Sequence, residues 1–195
     1  VLCDPNNPID EQWMFVPDGG KFIPQYMPND KEPVHKALYQ NWKKGKKYHS
    51  EIVQNQRMEE MLKFLKSQPS FVHNMDQFVK QGVEFPMWQQ LHAGYFSQGY
   101  LLIITKEEYN DSEILQRFAN VFDQTYTRFL DLQRAEAQAK ESQIEAALER
   151  VRASMMAMHQ SDELRNVIAN LFEQMKRLGF HPAAMSFGIY KEDLS

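Results

Sequence analysis

Six histidines and one cysteine are the side chains of this 195-residue chain best suited to nucleophilic, phosphoryl-accepting or metal-binding chemistry. His159 draws attention first, because it lies in "AEAQAKESQIEAALERVRASMMAMHQSDEL" (135–164), a stretch without Gly or Pro. A phosphate-accepting histidine precedes an acidic residue, whereas Gln160 follows here and Ser161 opens a new capping signal. His159 reads as a solvated residue near a helix C-terminus, where its cationic form suits the dipole. His35, His49, His73, His92 and His181 show no i,i+4 or other metal-ligand spacing, and Cys3 is the only thiol that can join them. No metal site and no catalytic residue is assigned, and no Gly-rich phosphate cradle occurs. The basic run "KKGKKYH" (43–49) reads as a solvated loop. Tyr26, Trp42, Tyr48, Trp88, His92, Tyr95 and Phe96 suit a packed core first and the lining of a small-molecule pocket second.

Charge and composition narrow the function classes. A formal charge of −4 argues against a nucleic-acid or anionic-membrane footprint. The aliphatic run 101–104 falls far short of the ~20 residues of a membrane span, and no signal segment is visible. With a single cysteine, no internal disulfide framework exists, which fits a reducing compartment, and a cytoplasmic location is expected. A chain with 12% aromatic residues has ample material for a core. It starts at Val1 and ends on "FGIYKEDLS", and both ends read as cuts through a longer polypeptide.

The elements follow from period and punctuation. Residues 12–27 form two β-rich runs around Pro17-Asp18-Gly19-Gly20, a hairpin signal. Residues 31–45 switch to helical period, with Pro33 in the first turn, Val34, Leu38 and Trp42 on one face and Gly45 closing. A short strand is expected over 46–53 and an amphipathic helix over 54–69, with Met58, Met61, Leu62 and Leu65 together. Residues 70–86 are compatible with a short helix. The strongest strand pair is "MWQQLHAGYFSQGYLLIIT" (87–105), turning at Ser97-Gln98-Gly99, with Gly94 marking a bulge or close approach. Asn110 and Glu113 form a capping box. Ile114, Phe118, Val121, Phe122, Tyr126 and Phe129 then offer a wide face for a sheet.

From Leu130 the stripe narrows. Leu130, Ala137, Ile144, Val151 and Met158 recur every seven residues, with Leu148 and Met155 between them. Two apolar residues per heptad make a coiled-coil seam, weakened by Arg134 and Glu141 and flanked by Glu145 and Arg152 at e positions. One continuous helix over about 110–160, ~70 Å long, is expected. Ser161 restarts a wide stripe (Leu164, Val167, Ile168, Leu171, Phe172, Met175, Leu178) closed by Gly179 and Pro182, and 183–190 reads as a strand.

The order of hairpin, helices, "LHAGYFSQGYLLIIT" and long terminal helix resembles the GAF domains of bacterial sensor proteins. The run "YNDSEILQRFANVFDQTYTRFLDLQRAEAQAKESQIEAALERVRASMMAMHQSDEL" is similar to the GAF-to-GAF linker of Bacteroidetes-type sensors, often upstream of histidine kinase modules. The likeness is specific over about 95–179 and topological over 12–90. It implies an α+β fold, a GAF/PAS-like antiparallel sheet with flanking helices, then a coiled-coil helix and a terminal helix–strand unit. The implied domains are 1–133, a GAF-like domain without its N-terminal helix; 134–160, the linker; and 161–195, the start of a second repeat.

The expected function is sensing and relay within a two-component or related signal-transduction protein. This segment is then non-catalytic, and any histidine kinase or other output module lies outside it. Its homodimer uses Ile144, Leu148, Val151, Met155 and Met158, with a domain swap of 161–190 as a further mode of association. The candidate ligand residues are Tyr26, Trp42, Trp88, His92 and Tyr95, with no ligand or cofactor assigned. The alternatives are a dimerisation or scaffold module, or a small α+β enzyme with a pocket near Trp88 and His92.

Overall fold

The computed structural model describes residues 1–15, 24–80, 86–160, 163–186 and 188, with the backbone alone over 75–80. The fold is α+β. A six-stranded antiparallel sheet has the order β3-β2-β1-β6-β5-β4, built from β1 (Leu2–Asp4), β2 (Asn7–Gln12), β3 (Gln25–Pro28), β4 (Tyr48–Gln54), β5 (Trp88–Phe96) and β6 (Gly99–Thr105). Helices α1 (Pro33–Lys43), α2 (Gln56–Lys66) and α3 (Pro69–Lys80) fall between strands, and α4 (Glu113–Met156) and α5 (Leu164–Arg177) follow the sheet. The chain divides into two compact units, Val1–Arg128 and Phe129–Ser195.

In the first unit, the expected hairpin appears with its strands moved outward. β2 pairs with β3 from Ile9↔Pro28 to Gln12↔Gln25, so the strands are 7–12 and 25–28 rather than the runs beside Pro17–Gly20, which lie outside the described residues. Helix α1 starts as its sequence dictates, with Pro33 in the first turn. The Glu32 carboxylate accepts from the backbone N–H of Val34 and His35, both at 2.9 Å. This is an N-cap the sequence reading did not assign. Gly45 ends the helix at φ +67°, a conformation that L side chains adopt at a cost.

The sheet has two different faces. Strand alternation sends Val53, Leu91, Ala93, Tyr95 and Tyr100 to one side, where they meet Val34, Leu38, Met58 and Met61 of α1 and α2 in the main core. Gly94, Phe96 and His92 point to the other side. Gly94 is a close approach and not a bulge, since the register runs unbroken through Tyr48↔Gly94 and Gly94↔Leu101. A Cβ there would lie 2.9 Å from Leu115 Cγ and 3.2 Å from Ala119 Cβ of α4.

Two expectations for α4 need correction. The helix begins at Glu113, not after an Asn110 cap, because the Asp111 carboxylate takes the Glu113 N–H at 2.9 Å. The residues that α4 buries are Leu115 and Ala119, which the expected face did not include, whereas Ile114, Phe118 and Val121 of that face are 49%, 65% and 59% exposed. A helix lays one register of i, i+3, i+4 positions on a flat surface, here Leu115, Ala119, Phe122 and Tyr126. Its neighbours one step around the cylinder are left out.

In the second unit, the absence of Gly and Pro has the expected outcome, and α4 runs through all 44 residues without a break. Helix α5 packs antiparallel on the end of α4. Asn170 Nδ2 donates to the Arg150 carbonyl at 3.1 Å, Arg150 donates to Gln174 Oε1 at 3.2 Å, and Ala147 and Val167 are buried. Within the chain this helix lies on its own α4. The strand expected over 183–190 is absent from described residues 183–186 and 188. A strand forms only against a partner, and among the described residues none lies beside this segment.

Candidate functional site

Strand β5 is the structural centre of the first unit. Its outward-facing residues build a polar network beneath the start of α4. His92 is buried and flanked by Tyr48 Oη at 2.8 Å from Nδ1 and Thr105 Oγ1 at 3.1 Å from Nε2. A neutral ring that accepts from Tyr48 and donates to Thr105 satisfies both contacts, and burial lowers the His92 pKa, favouring that form. Tyr109 meets the ring edge-on at 5.8 Å. Gln90 then fastens Tyr109 by its backbone: Oε1 accepts the Tyr109 N–H at 2.8 Å, and Nε2 donates to the Tyr109 carbonyl at 3.1 Å. The connection from β6 into α4 is therefore tied to β5.

Further along, the hairpin end grips α4 directly. Phe96 packs on Phe122 with ring centroids 4.9 Å apart. The Ser97 N–H donates to Asp123 Oδ1 at 2.8 Å, and Gln98 Nε2 donates to Thr127 Oγ1 at 3.3 Å.

The opposite face is apolar over β4, β5 and α2 but polar over β1–β3. Asp10 is fully buried, with Oδ1 accepting from Asn29 Nδ2 at 2.7 Å and Oδ2 from Tyr100 Oη at 3.4 Å. Burial raises the Asp10 carboxyl above the ordinary range, against the hydrogen bonds of Asn29 and Cys3. Burial, reinforced by Asp10, raises the Cys3 thiol, so this cysteine is an inert packed group. Beside it, Gln12 Nε2, Asn29 Oδ1 and both amide atoms of Gln25 are buried without a hydrogen-bond partner. Each such atom costs about 1–3 kcal/mol relative to a paired one. On α1, Glu32 and His35 form a buried pair at 2.8 Å. Burial pushes the Glu32 carboxyl up, but the hydrogen bonds from His35 and from the backbone N–H groups outweigh it and hold the pKa below the ordinary range.

The residues expected to share a pocket are split by the sheet. Tyr95 is on the main-core face, and Trp42 of α1 packs against that core while its indole N–H donates to the Phe96 carbonyl at 3.1 Å. His92 and Trp88 belong to the face that carries α4, and Tyr26 is 55% exposed. Tyr48 and His92 of the aromatic set meet in one ring contact with centroids 6.4 Å apart. The polar interior at Asp10, Gln25 and Asn29 was not anticipated. The sequence carries no signal for it, because Asp10 and Gln12 are polar residues buried by strand pairing while the apolar Ile9 is 43% exposed.

Among the described residues, no cluster of three or more His, Cys, Asp or Glu is arranged to hold a metal ion, and no helix is long and apolar enough to cross a membrane. Comparison of the chain with protein-family models, with curated proteins and with solved structures finds no match.

Proposed function

We propose that this chain is a non-catalytic sensory and relay segment of a multidomain bacterial signalling protein, GAF-like in its first unit and working in the cytoplasm. The observation that supports the reading is the double role of β5. Ala93 and Tyr95 belong to the interior that a small molecule would enter, while Gly94 and Phe96 touch Leu115, Ala119 and Phe122 of α4. A ligand that shifts the interior side chains by a fraction of an ångström moves the strand whose opposite face holds the helix. The unpartnered amides of Gln12 and Gln25 suit a small polar ligand able both to donate and to accept hydrogen bonds.

The output is the helix itself, paired in a parallel homodimer through Ile144, Leu148, Val151, Met155 and Met158. Leu148 and Met155 are each 49% exposed, a placement that favours association. The test is a thermal-shift screen of polar metabolites, followed by hydrogen exchange on the stabilising compound. The reading requires altered exchange over 113–128 on binding. Stabilisation with unchanged exchange in α4 refutes the relay, and turnover of the compound refutes the non-catalytic assignment.

A further inference from the structure

The α4–α5 hairpin of the second unit lacks a core of its own. Its buried residues among those described are Ala147, Val167 and Gln174, so one large aliphatic side chain is fully removed from water. Hairpins of about 40 residues do not hold on so little without help. Both helices also carry a second apolar stripe. On α4 it is Ile144 and Val151, half-buried, with Leu148 and Met155 at 49% exposure. On α5 it is Leu164, Ile168, Leu171 and Met175, all half-buried.

The geometry of these stripes decides what covers them. At about 100° per residue, the α4 stripe lies roughly a quarter-turn from Ala147 and Arg150, which face α5. The α5 stripe lies roughly a quarter-turn from Val167 and Gln174, which face α4, and is displaced in the same rotational sense. Because the two helices are antiparallel, equal rotations bring both stripes to the same side of the hairpin. The result is a two-helix layer with one continuous apolar face. Contacts a quarter-turn apart on every helix are what a square four-helix bundle requires, and a face repeated on a second copy closes such a bundle by twofold symmetry.

We infer that the second unit dimerises as a four-helix bundle, in which the α4 stripe of one chain packs on the α5 stripe of a second copy. The two α4 helices run parallel at opposite corners. This rests on the parallel homodimer proposed above but seats its α4 stripe on α5 of the second copy, where a two-stranded coiled coil pairs the two α4 stripes directly and leaves α5 outside.

Light scattering of the whole chain at high micromolar concentration tests it. Wild type should give twice the 23.0 kDa of one chain. Ile144→Glu/Val151→Glu and Leu171→Glu/Met175→Glu should each give the single-chain mass, with the melting of the first unit unchanged. A Leu171→Glu/Met175→Glu protein that stays dimeric while the α4 variant dissociates overturns the bundle and leaves the relay dimer intact. A monomeric wild type removes both. To keep the test independent of α5 folding in the acidic variants, a second experiment mixes Leu148→Cys chains with Met175→Cys chains, both in a Cys3→Ser background. A disulfide-linked heterodimer on mild oxidation is expected, and its absence from a dimeric mixture overturns the arrangement.

Discussion

Among the described residues, fourteen of the sixteen buried apolar residues belong to Val1–Arg128, and Ala147 and Val167 alone belong to Phe129–Ser195. The first unit closes helices and a sheet around a shared interior. The second leaves Leu148, Met155 and Met156 of its long helix exposed. One region holds the core and the other is nearly without one, and α4 belongs to both. That division makes separate demands on the two regions, and the demands can be tested separately.

The largest effect should come from the core of the first unit. Met58 is fully buried among Val53, Leu91 and Met61, so Met58→Ala should lower stability by about 2–5 kcal/mol. Val167→Ala, its counterpart in the second unit, should leave the main transition unmoved and loosen only the α4–α5 hairpin. Denaturant melts of both variants followed by near-ultraviolet circular dichroism check this. Equal shifts of the main transition would show that the two regions unfold as one and break the comparison.

Next in size is Gly94→Val, which attacks the packing of α4 on the sheet within the first unit. The added Cβ meets Leu115 and Ala119 at 2.9–3.2 Å, and one of its contacts is the Leu115 carbonyl oxygen at 3.0 Å. Overpacking of this kind costs about 1–3 kcal/mol. Because the clash is with α4 and not with the interior, hydrogen exchange should rise over 113–126 while β4 and β5 stay protected. Uniform deprotection across the sheet would mean that α4 is an integral layer of the core and not a readout.

How far the sequence foretold this follows from which interactions are local. Pro33 and Gly45 bound α1, the aromatic and aliphatic runs of 87–105 around Ser97-Gln98-Gly99 yield β5 and β6, and 44 residues without Gly or Pro yield α4. Each of these depends on neighbours a few residues away. The misreadings depended on distance. The burial of Leu115 and Ala119 in place of Ile114 and Phe118 is decided by the Gly94 gap on another strand. The strand expected at 183–190 needed a partner that periodicity cannot supply. The aromatic set failed to converge because residues of one parity on β5 face α1 and α2 while those of the other face α4, so His92 and Tyr95 were never candidates for one pocket.

Acid sharpens the comparison through groups that all lie in the first unit. Burial lowers the His92 pKa below the ordinary histidine value of 6.5, so the unfolded chain takes up the proton first. Its contribution is therefore fully present above about pH 6.5 and is lost as pH falls from there toward the depressed folded value. Glu32, held below 4.5, keeps its contribution until lower pH. Thermal melts from pH 7 down to about pH 5 should show a fall in melting temperature that His92→Gln flattens. A slope unchanged by His92→Gln would assign the acid sensitivity elsewhere.

The smallest effect carries a sign that distinguishes function from folding. Gln25 is 1% exposed and neither of its amide atoms finds a partner, although Asp10, Asn29 and Gln12 are close by on the same polar face of β2 and β3. An interior built only for stability would place an apolar residue at this position, as it does at Met27 two residues on. Replacing a buried, unpaired amide by a similar apolar shape removes the desolvation cost without removing a bond, so Gln25→Leu should raise stability by about 1 kcal/mol. Within the proposed relay, a buried cost of this kind assigns the input to the polar face. In that case Gln25→Leu should also abolish stabilisation by any metabolite that shifts the wild-type melt. A destabilised Gln25→Leu protein would show that the amide is bonded in solution, and the polar face would then be part of the scaffold.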